Sequence, residues 1–133
     1  MELSESREMY LETILILSKT SSSVHAVDIC EHMNFSRPSV SRALKHLSED
    51  GYINISRNKQ ITLTETGMEI AESMYERHMV LSECLMRMGV SRENATADAC
   101  RMEHVISAES FEAIKKSAMA YLKGCDAAGE LIK

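Results

Sequence analysis

Apolar positions recur at steps of three and four along most of the chain. Leu3, Arg7, Tyr10, Ile14 and Leu17 share one such face, widened by Leu11 and Leu15, so Ser4 to Ser18 is expected to form a first helix. Ser4 or Ser6 can cap it, and the polar run Lys19-Thr20-Ser21-Ser22-Ser23 ends it. Two short helices around a tight break come next. Val27 to Met33 puts Ile29 and Met33 inward, Asn34-Phe35-Ser36 makes the turn, and Arg37 to Leu47 puts Val40, Leu44 and Leu47 inward. Pro38 falls in the first turn of the second of these, where its missing N–H is not needed. Ser39, Ser41, Arg42, Lys45 and His46 are left on other faces. Two helices joined by a short turn, the second with basic and hydrogen-bonding side chains near its start, make a helix-turn-helix pattern.

The period then changes. Glu49-Asp50-Gly51 breaks the helix, and Tyr52 to Ile55 and Gln60 to Leu63 are alternating runs on either side of Ser56-Arg57-Asn58-Lys59. That is a β-hairpin with a basic tip, and a helix-turn-helix followed by a hairpin is a winged helix. The alternative is a helical-hairpin domain that uses the same shape for protein contacts. From Thr64 a long helix is expected to run to about Met88, with Ala71, Met74, His78, Leu81 and Leu85 on one stripe. His78 thus faces inward, as a hydrogen-bonded core residue or as a ligand. Gly89-Val90-Ser91 ends this helix, another starts near Asn94, and Ser107 caps a last one with Phe111, Ile114, Ala118 and Leu122 on one face and Met119 beside it. These later helices have more apolar face than one small domain needs to cover, which predicts a helical homodimer interface. The expected fold class is mainly α: an N-terminal winged helix-turn-helix over residues 1–66, then an all-helical dimerisation domain over residues 67–133.

Composition agrees with this picture. One Pro and five Gly in 133 residues favour helix over sheet, and 44% hydrophobic content is enough for a packed interior. No apolar run approaches the roughly 18 residues needed to span a bilayer, and Met1-Glu2-Leu3-Ser4-Glu5 does not resemble a signal peptide, so a cytoplasmic protein with no membrane partner is expected. The net charge of −5 argues at first against nucleic acid, but Ser36 to Gln60 carries a local +3 and leaves −8 for the remainder. A local basic surface is all that phosphate contact requires. Ser39, Ser41 and Arg42 are the candidates for base-edge contact on double-stranded operator DNA, and Arg37, Lys45, Arg57 and Lys59 for phosphate.

The chemistry is concentrated in Cys100-Arg101-Met102-Glu103-His104. On a helix, residues three and four apart share a face, so Cys100, Glu103 and His104 are expected to point one way. Thiolate, carboxylate and imidazole suit a borderline divalent metal better than magnesium or calcium. The bland reading of the same spacing is a buried Cys beside a solvated Glu-His pair. Cys30 and Cys84 sit among apolar neighbours and read as small core residues, and Cys125 carries no signal.

Three stretches resemble the diphtheria toxin repressor family of metal-dependent transcriptional regulators. Glu8-Met9-Tyr10-Leu11-Glu12-Thr13-Ile14 resembles its first helix, Arg77-His78 the end of its linking helix, and Ala99-Cys100-Arg101-Met102-Glu103-His104-Val105 its metal-binding helix. The resemblance implies a short two-domain form without the SH3-like third domain. It also implies a primary regulatory metal site of Met9, Cys100, Glu103 and His104, with His78 in an ancillary site. The Met9/Cys100 pair resembles the iron-responsive branch, whereas Glu12 matches a carboxylate ligand of the manganese-responsive one. Two ancillary positions depart from the family pattern, which here has Ser82 (with Glu83 adjacent) and Thr96.

The function these readings imply is a repressor of metal-homeostasis genes. Its cofactor would be iron(II), with manganese(II) next and zinc(II), cobalt(II) or nickel(II) able to bind in vitro. The alternatives are a metal-independent winged-helix regulator with a structural Cys-Glu-His cluster, oxidation sensing at Cys100, and a metal hydrolase with Glu103 as base. Against the last, no Gly-rich loop or spare acid–base pair is present, so no enzyme is expected.

Overall fold

A computed structural model describes the backbone of residues 3–128 and the side chains of residues 3–118 and 120. The predicted positions of Met119, Leu122 and Cys125 on the last stripe and tail lie outside the described side chains. The chain divides into two compact units, Met1–Tyr75 and Glu76–Lys133.

In the first unit, α1 spans Glu5–Thr20, and Ser4 caps it by accepting from the Arg7 N–H at 3.3 Å. Helix α2 (Ala26–Met33) begins with a reciprocal cap in which the His25 N–H donates to Asp28 Oδ2 at 2.8 Å. It stops at Asn34, whose φ of 59° lies in the left-handed region that short polar side chains tolerate. Helix α3 (Arg37–Glu49) starts immediately, with Ser36 accepting from the Ser39 N–H at 3.3 Å and Pro38 in the first turn. Gly51 ends it at φ 84°, a conformation in which a side chain would be strained, and the Tyr52 N–H reaches back to the Leu47 carbonyl at 2.9 Å. Strands β1 (Ile53–Ile55) and β2 (Ile61–Leu63) pair antiparallel with Ile53 opposite Leu63 and Ile55 opposite Ile61.

Helix α1 packs on α2, α3 and β2, and α3 packs on β1. The core they enclose holds Leu11, Ile14, Ile29, Val40, Leu44, Leu47, Ile53 and Ile61, each fully or almost fully buried. Burying each such side chain is worth about 1.5–3 kcal/mol, which is what holds helices this short in place. Arg7 of α1 also pairs with Asp50 at the end of α3.

Helix α4 (Glu65–Arg87) is one long element, and the division between the units falls within it, after Tyr75. In the second unit, α5 covers Arg92–Met102 with Ser91 as its cap, and α6 covers Ala108–Ala128 with Ser107 accepting from the Ser110 N–H at 3.0 Å. Among the described residues of this unit, the buried apolar side chains are Leu81, Ala95, Ala99 and Phe111, and Ser82 and Glu103 are buried with them.

One expectation is corrected here. The continuous helix expected to carry Cys100, Glu103 and His104 stops before His104. Helix α5 ends at Met102, Glu103 is its C-cap residue, and His104 lies in the turn beyond. The amides of both Val105 and Ile106 bond back to the Met102 carbonyl, which tightens the chain out of the α-helical path.

Candidate functional site

The first unit presents its chemistry on the outside. A groove of about 490 Å³ runs between the start of α2, one face of α3 and the hairpin. Arg37, Ser41 and Lys45 line it from α3 and Lys59 from the hairpin tip, with Val27 and Ile55 adding exposed apolar surface. Arg37, Ser41, Lys45 and Lys59 are all exposed, so four of the seven residues singled out for DNA contact converge on this groove. Arg42 and Arg57 are exposed but are not among the residues that line it. Ser39 is half-buried and engaged in the α3 cap, where its hydroxyl accepts from Ser36 Oγ at 2.9 Å. His25 and Ser48, which residue spacing did not single out, also line the groove.

The hairpin tip is locked by its own polar groups. The Ser56 N–H donates to the Gln60 carbonyl at 2.9 Å, and the Lys59 N–H to the Ser56 carbonyl at 3.0 Å. This geometry puts Lys59 at φ 66°, where glycine or asparagine is the usual occupant. A lysine held there keeps a cation at the rim of the groove, at a backbone cost of about 1–2 kcal/mol.

The second unit places its chemistry inside. Glu103 is 0% exposed, and the side chain of His104 is 4% exposed. The solvated Glu-His pair is therefore ruled out. His78 Nδ1 lies 3.1 Å from Glu103 Oε2, and His104 Nε2 lies 3.3 Å from Glu103 Oε1. Each oxygen of one buried carboxylate thus has an imidazole nitrogen within 3.3 Å. An ionised carboxylate out of water needs such partners, because its desolvation otherwise costs several kcal/mol. The His104 Nε2 and Glu103 Oε1 atoms, 3.3 Å apart, put a nitrogen and an oxygen donor side by side. Carboxylate and imidazole donors in a dry setting, with the half-buried Cys100 thiol one turn earlier on α5, are a donor set that fits a borderline divalent cation.

The remaining sequence candidates are placed as follows. In α1, Met9 is half-buried and Glu12 is 6% exposed. Ser82 is buried and donates to the Met79 carbonyl, and the adjacent Glu83 pairs with Arg87 on its own helix at 3.2 Å. Thr96 is exposed.

Residues 2–61 match the N-terminal DNA-binding domain of iron-dependent repressors, and residues 64–127 match their metal-binding and dimerisation domain. The transcriptional regulator MntR of Escherichia coli is 33% identical over 106 residues, which are 80% of this chain and 68% of MntR. The chain belongs to the iron-dependent repressor family. The iron-dependent repressor IdeR of Mycobacterium tuberculosis is 32% identical over 107 residues, 80% of this chain and 46% of IdeR. Among solved structures, the manganese regulator SloR matches with a TM-score of 0.73 at 27% identity, over 83% of this chain and 52% of that one. The chain therefore spans about half the length of SloR and IdeR. Among the described residues, no helix is long and apolar enough to cross a membrane.

Within an iron-dependent repressor the two chemistries have separate places: a basic groove in the matched DNA-binding domain and buried donors in the matched metal-binding domain. Arg77 is a residue whose part spacing does not disclose. Its Nη1 donates to the Glu103 carbonyl at 3.0 Å and to the Ile106 carbonyl at 2.8 Å, bonds that link residues 26 and 29 positions apart.

Proposed function

We propose that this chain is a metal-dependent repressor that binds palindromic operator DNA as a homodimer and controls metal-homeostasis genes in the cytoplasm, with no catalytic step. On this reading residues 1–66 bind DNA and residues 67–133 bind metal and dimerise. The observation that carries it is the buried Glu103 carboxylate set between the His78 and His104 imidazoles. Family membership and the basic groove between α3 and the hairpin support it.

The proposed ligands are Met9, Glu12, His78, Cys100, Glu103 and His104. A divalent cation in the primary site would be held by Met9, Cys100, Glu103 and His104, joined by Glu12, and His78 would belong to an ancillary site. Met9 and Glu12 belong to α1, whereas the other four belong to α4, α5 and the turn after it. Donors from α1 can serve the same ion as Cys100, Glu103 and His104 only in an arrangement that presents them together, so occupancy would favour that arrangement over the others. A change from mostly inactive to mostly active needs about 10²–10⁴-fold preference for the engaged form. The two α3 helices of a dimer then meet successive major grooves about 34 Å apart. Arg37, Lys45, Arg57 and Lys59 hold phosphates, and Ser39, Ser41 and Arg42 read base edges.

The Met9 thioether and Cys100 thiol favour iron(II). The carboxylates of Glu12 and Glu103 keep manganese(II) next in order, and zinc(II), cobalt(II) or nickel(II) bind in vitro by intrinsic affinity. The relative IdeR is named for iron, and the structural match SloR for manganese.

The test is fluorescence anisotropy on a palindromic operator, titrated with iron(II), manganese(II), cobalt(II) and zinc(II) against a chelated control, with His104→Ala alongside. Metal-dependent binding that His104→Ala abolishes supports the proposal. A second reading is favoured by the His78–Glu103 hydrogen bond itself, because protein groups alone already partner the carboxylate. It is a metal-independent winged-helix regulator with a structural cluster, and it predicts equal DNA binding with and without chelator.

A further inference from the structure

Adjacent residues of α4 grip the same residue of the α5–α6 turn in two different ways. His78 takes the side chain of Glu103, with Nδ1 at 3.1 Å from Oε2. Arg77 takes its main chain, with Nη1 donating to the Glu103 carbonyl at 3.0 Å and to the Ile106 carbonyl at 2.8 Å. The guanidinium is itself fixed by the Phe111 ring of α6, 5.4 Å from the ring centroid, and Phe111 is 3% exposed. We propose that Arg77 is the positioning residue of the metal-donor cluster: it fixes the backbone of the turn so that the Glu103 carboxylate and His104 imidazole are aimed at one point before any ion arrives. This inference rests on the metal-binding reading above and names what pre-organises that site.

The physical need is plain. The carbonyls at the end of a helix have no partners within it, and here that end is buried beside a carboxylate. The Glu103 carbonyl belongs to a fully buried residue, and the Arg77 side chain supplies its donor. A planar guanidinium fits because it can donate in its plane while its face lies on an aromatic ring. Its positive charge also lies at the negative end of α5. If Arg77 is lost, the turn is free to choose other conformations, and the ion has to supply the ordering that Arg77 now supplies in advance.

The experiment is cobalt(II) binding to the full chain, followed by ligand-field and thiolate charge-transfer absorption, for wild type, Arg77→Met, Arg77→Lys and Phe111→Leu. Arg77→Met should weaken the cobalt dissociation constant by about 10–100-fold, the range seen when groups that orient ligands are removed. It should also change the ligand-field band shape at saturation. A purely structural role moves the melting temperature and leaves that spectrum alone. Arg77→Lys keeps the charge and one carbonyl bond and should recover part of the affinity. Phe111→Leu, which leaves both carbonyl bonds possible but frees the guanidinium, should fall between wild type and Arg77→Met. Should Arg77→Met fail to fold, Arg77→Lys decides: an affinity and spectrum matching wild type overturn the inference. Wild-type affinity and spectrum in folded Arg77→Met overturn it as well, with the metal reading intact. If wild type itself binds no cobalt, the metal reading falls and this inference with it.

Discussion

The two units solve the problem of placing charge in opposite ways. The first surrounds an apolar core with short, well-capped helices and leaves Arg37, Lys45, Arg57 and Lys59 in water. The second has fewer buried apolar side chains among its described residues and buries a carboxylate among them. A surface cation costs little to hold and is ready for a large anionic partner. A buried carboxylate costs several kcal/mol unless it is matched, so it is kept where a small, strongly charged ligand can repay the desolvation. The contrast predicts that stability of the first core is indifferent to metal, whereas the second unit gains stability if the proposed ion binds.

The largest expected effect tests the first half of that contrast. Leu47 is fully buried in the first core, so Leu47→Ala should lower stability by about 2–5 kcal/mol, with the same loss whether metal or chelator is present. Urea unfolding under both conditions measures it. A loss that disappears on adding metal would break the contrast. Glu103→Gln tests the other half. At a metal concentration about 100 times its dissociation constant, wild type should gain about 2.7 kcal/mol, and Glu103→Gln should gain little or nothing. Thermal melts with and without cobalt(II) read this directly.

The surface cations give smaller, separable effects. Arg42→Ala should lose about 1–3 kcal/mol of discrimination between operator and altered sequences, seen by competition binding, while affinity for random DNA stays nearly constant. Lys59→Ala should weaken binding to every sequence and lower the slope of log affinity against log salt by about one unit. A salt titration with unchanged slope would remove Lys59 from the phosphate contacts.

The smallest effect lies in the first core at high pH. Burial, with a smaller contribution from the Cys30 thiolate, raises the Tyr10 phenol above its ordinary value of 10.0. A raised folded-state value means that the stability tied to the neutral phenol is fully present below about pH 10 and is lost as pH rises through the folded-state value. Tyr10→Phe should flatten that alkaline limb in denaturant titrations. An alkaline limb identical to wild type would show that Tyr10 ionisation contributes nothing to it.

Local signals were legible where the governing contacts are local. Ser4 and Ser107 cap the helices that their positions suggested, and Asn34 and Gly51 end elements where short or absent side chains permit positive φ. The stripe of Val40, Leu44 and Leu47 is buried as its spacing implies. The site was legible in part. Residue types and spacing marked Cys100, Glu103 and His104, but the same spacing suggested one continuous helix face, and α5 stops short of it.

By itself, then, the sequence determined the order of helices and hairpin, the basic character of the surface from Ser36 to Gln60, and the residue types able to hold a metal. These follow from periodicity, caps and charge, each set by residues a few positions apart. The end of α5 at Met102, the pairing of His78 with Glu103 and the grip of Arg77 on the turn were decided by the tertiary structure. Those contacts join α4 to residues 25 to 29 positions further along the chain, so no local pattern encodes them. They arise because a buried carboxylate and a helix end both need partners, and the fold brings α4 close enough to provide them.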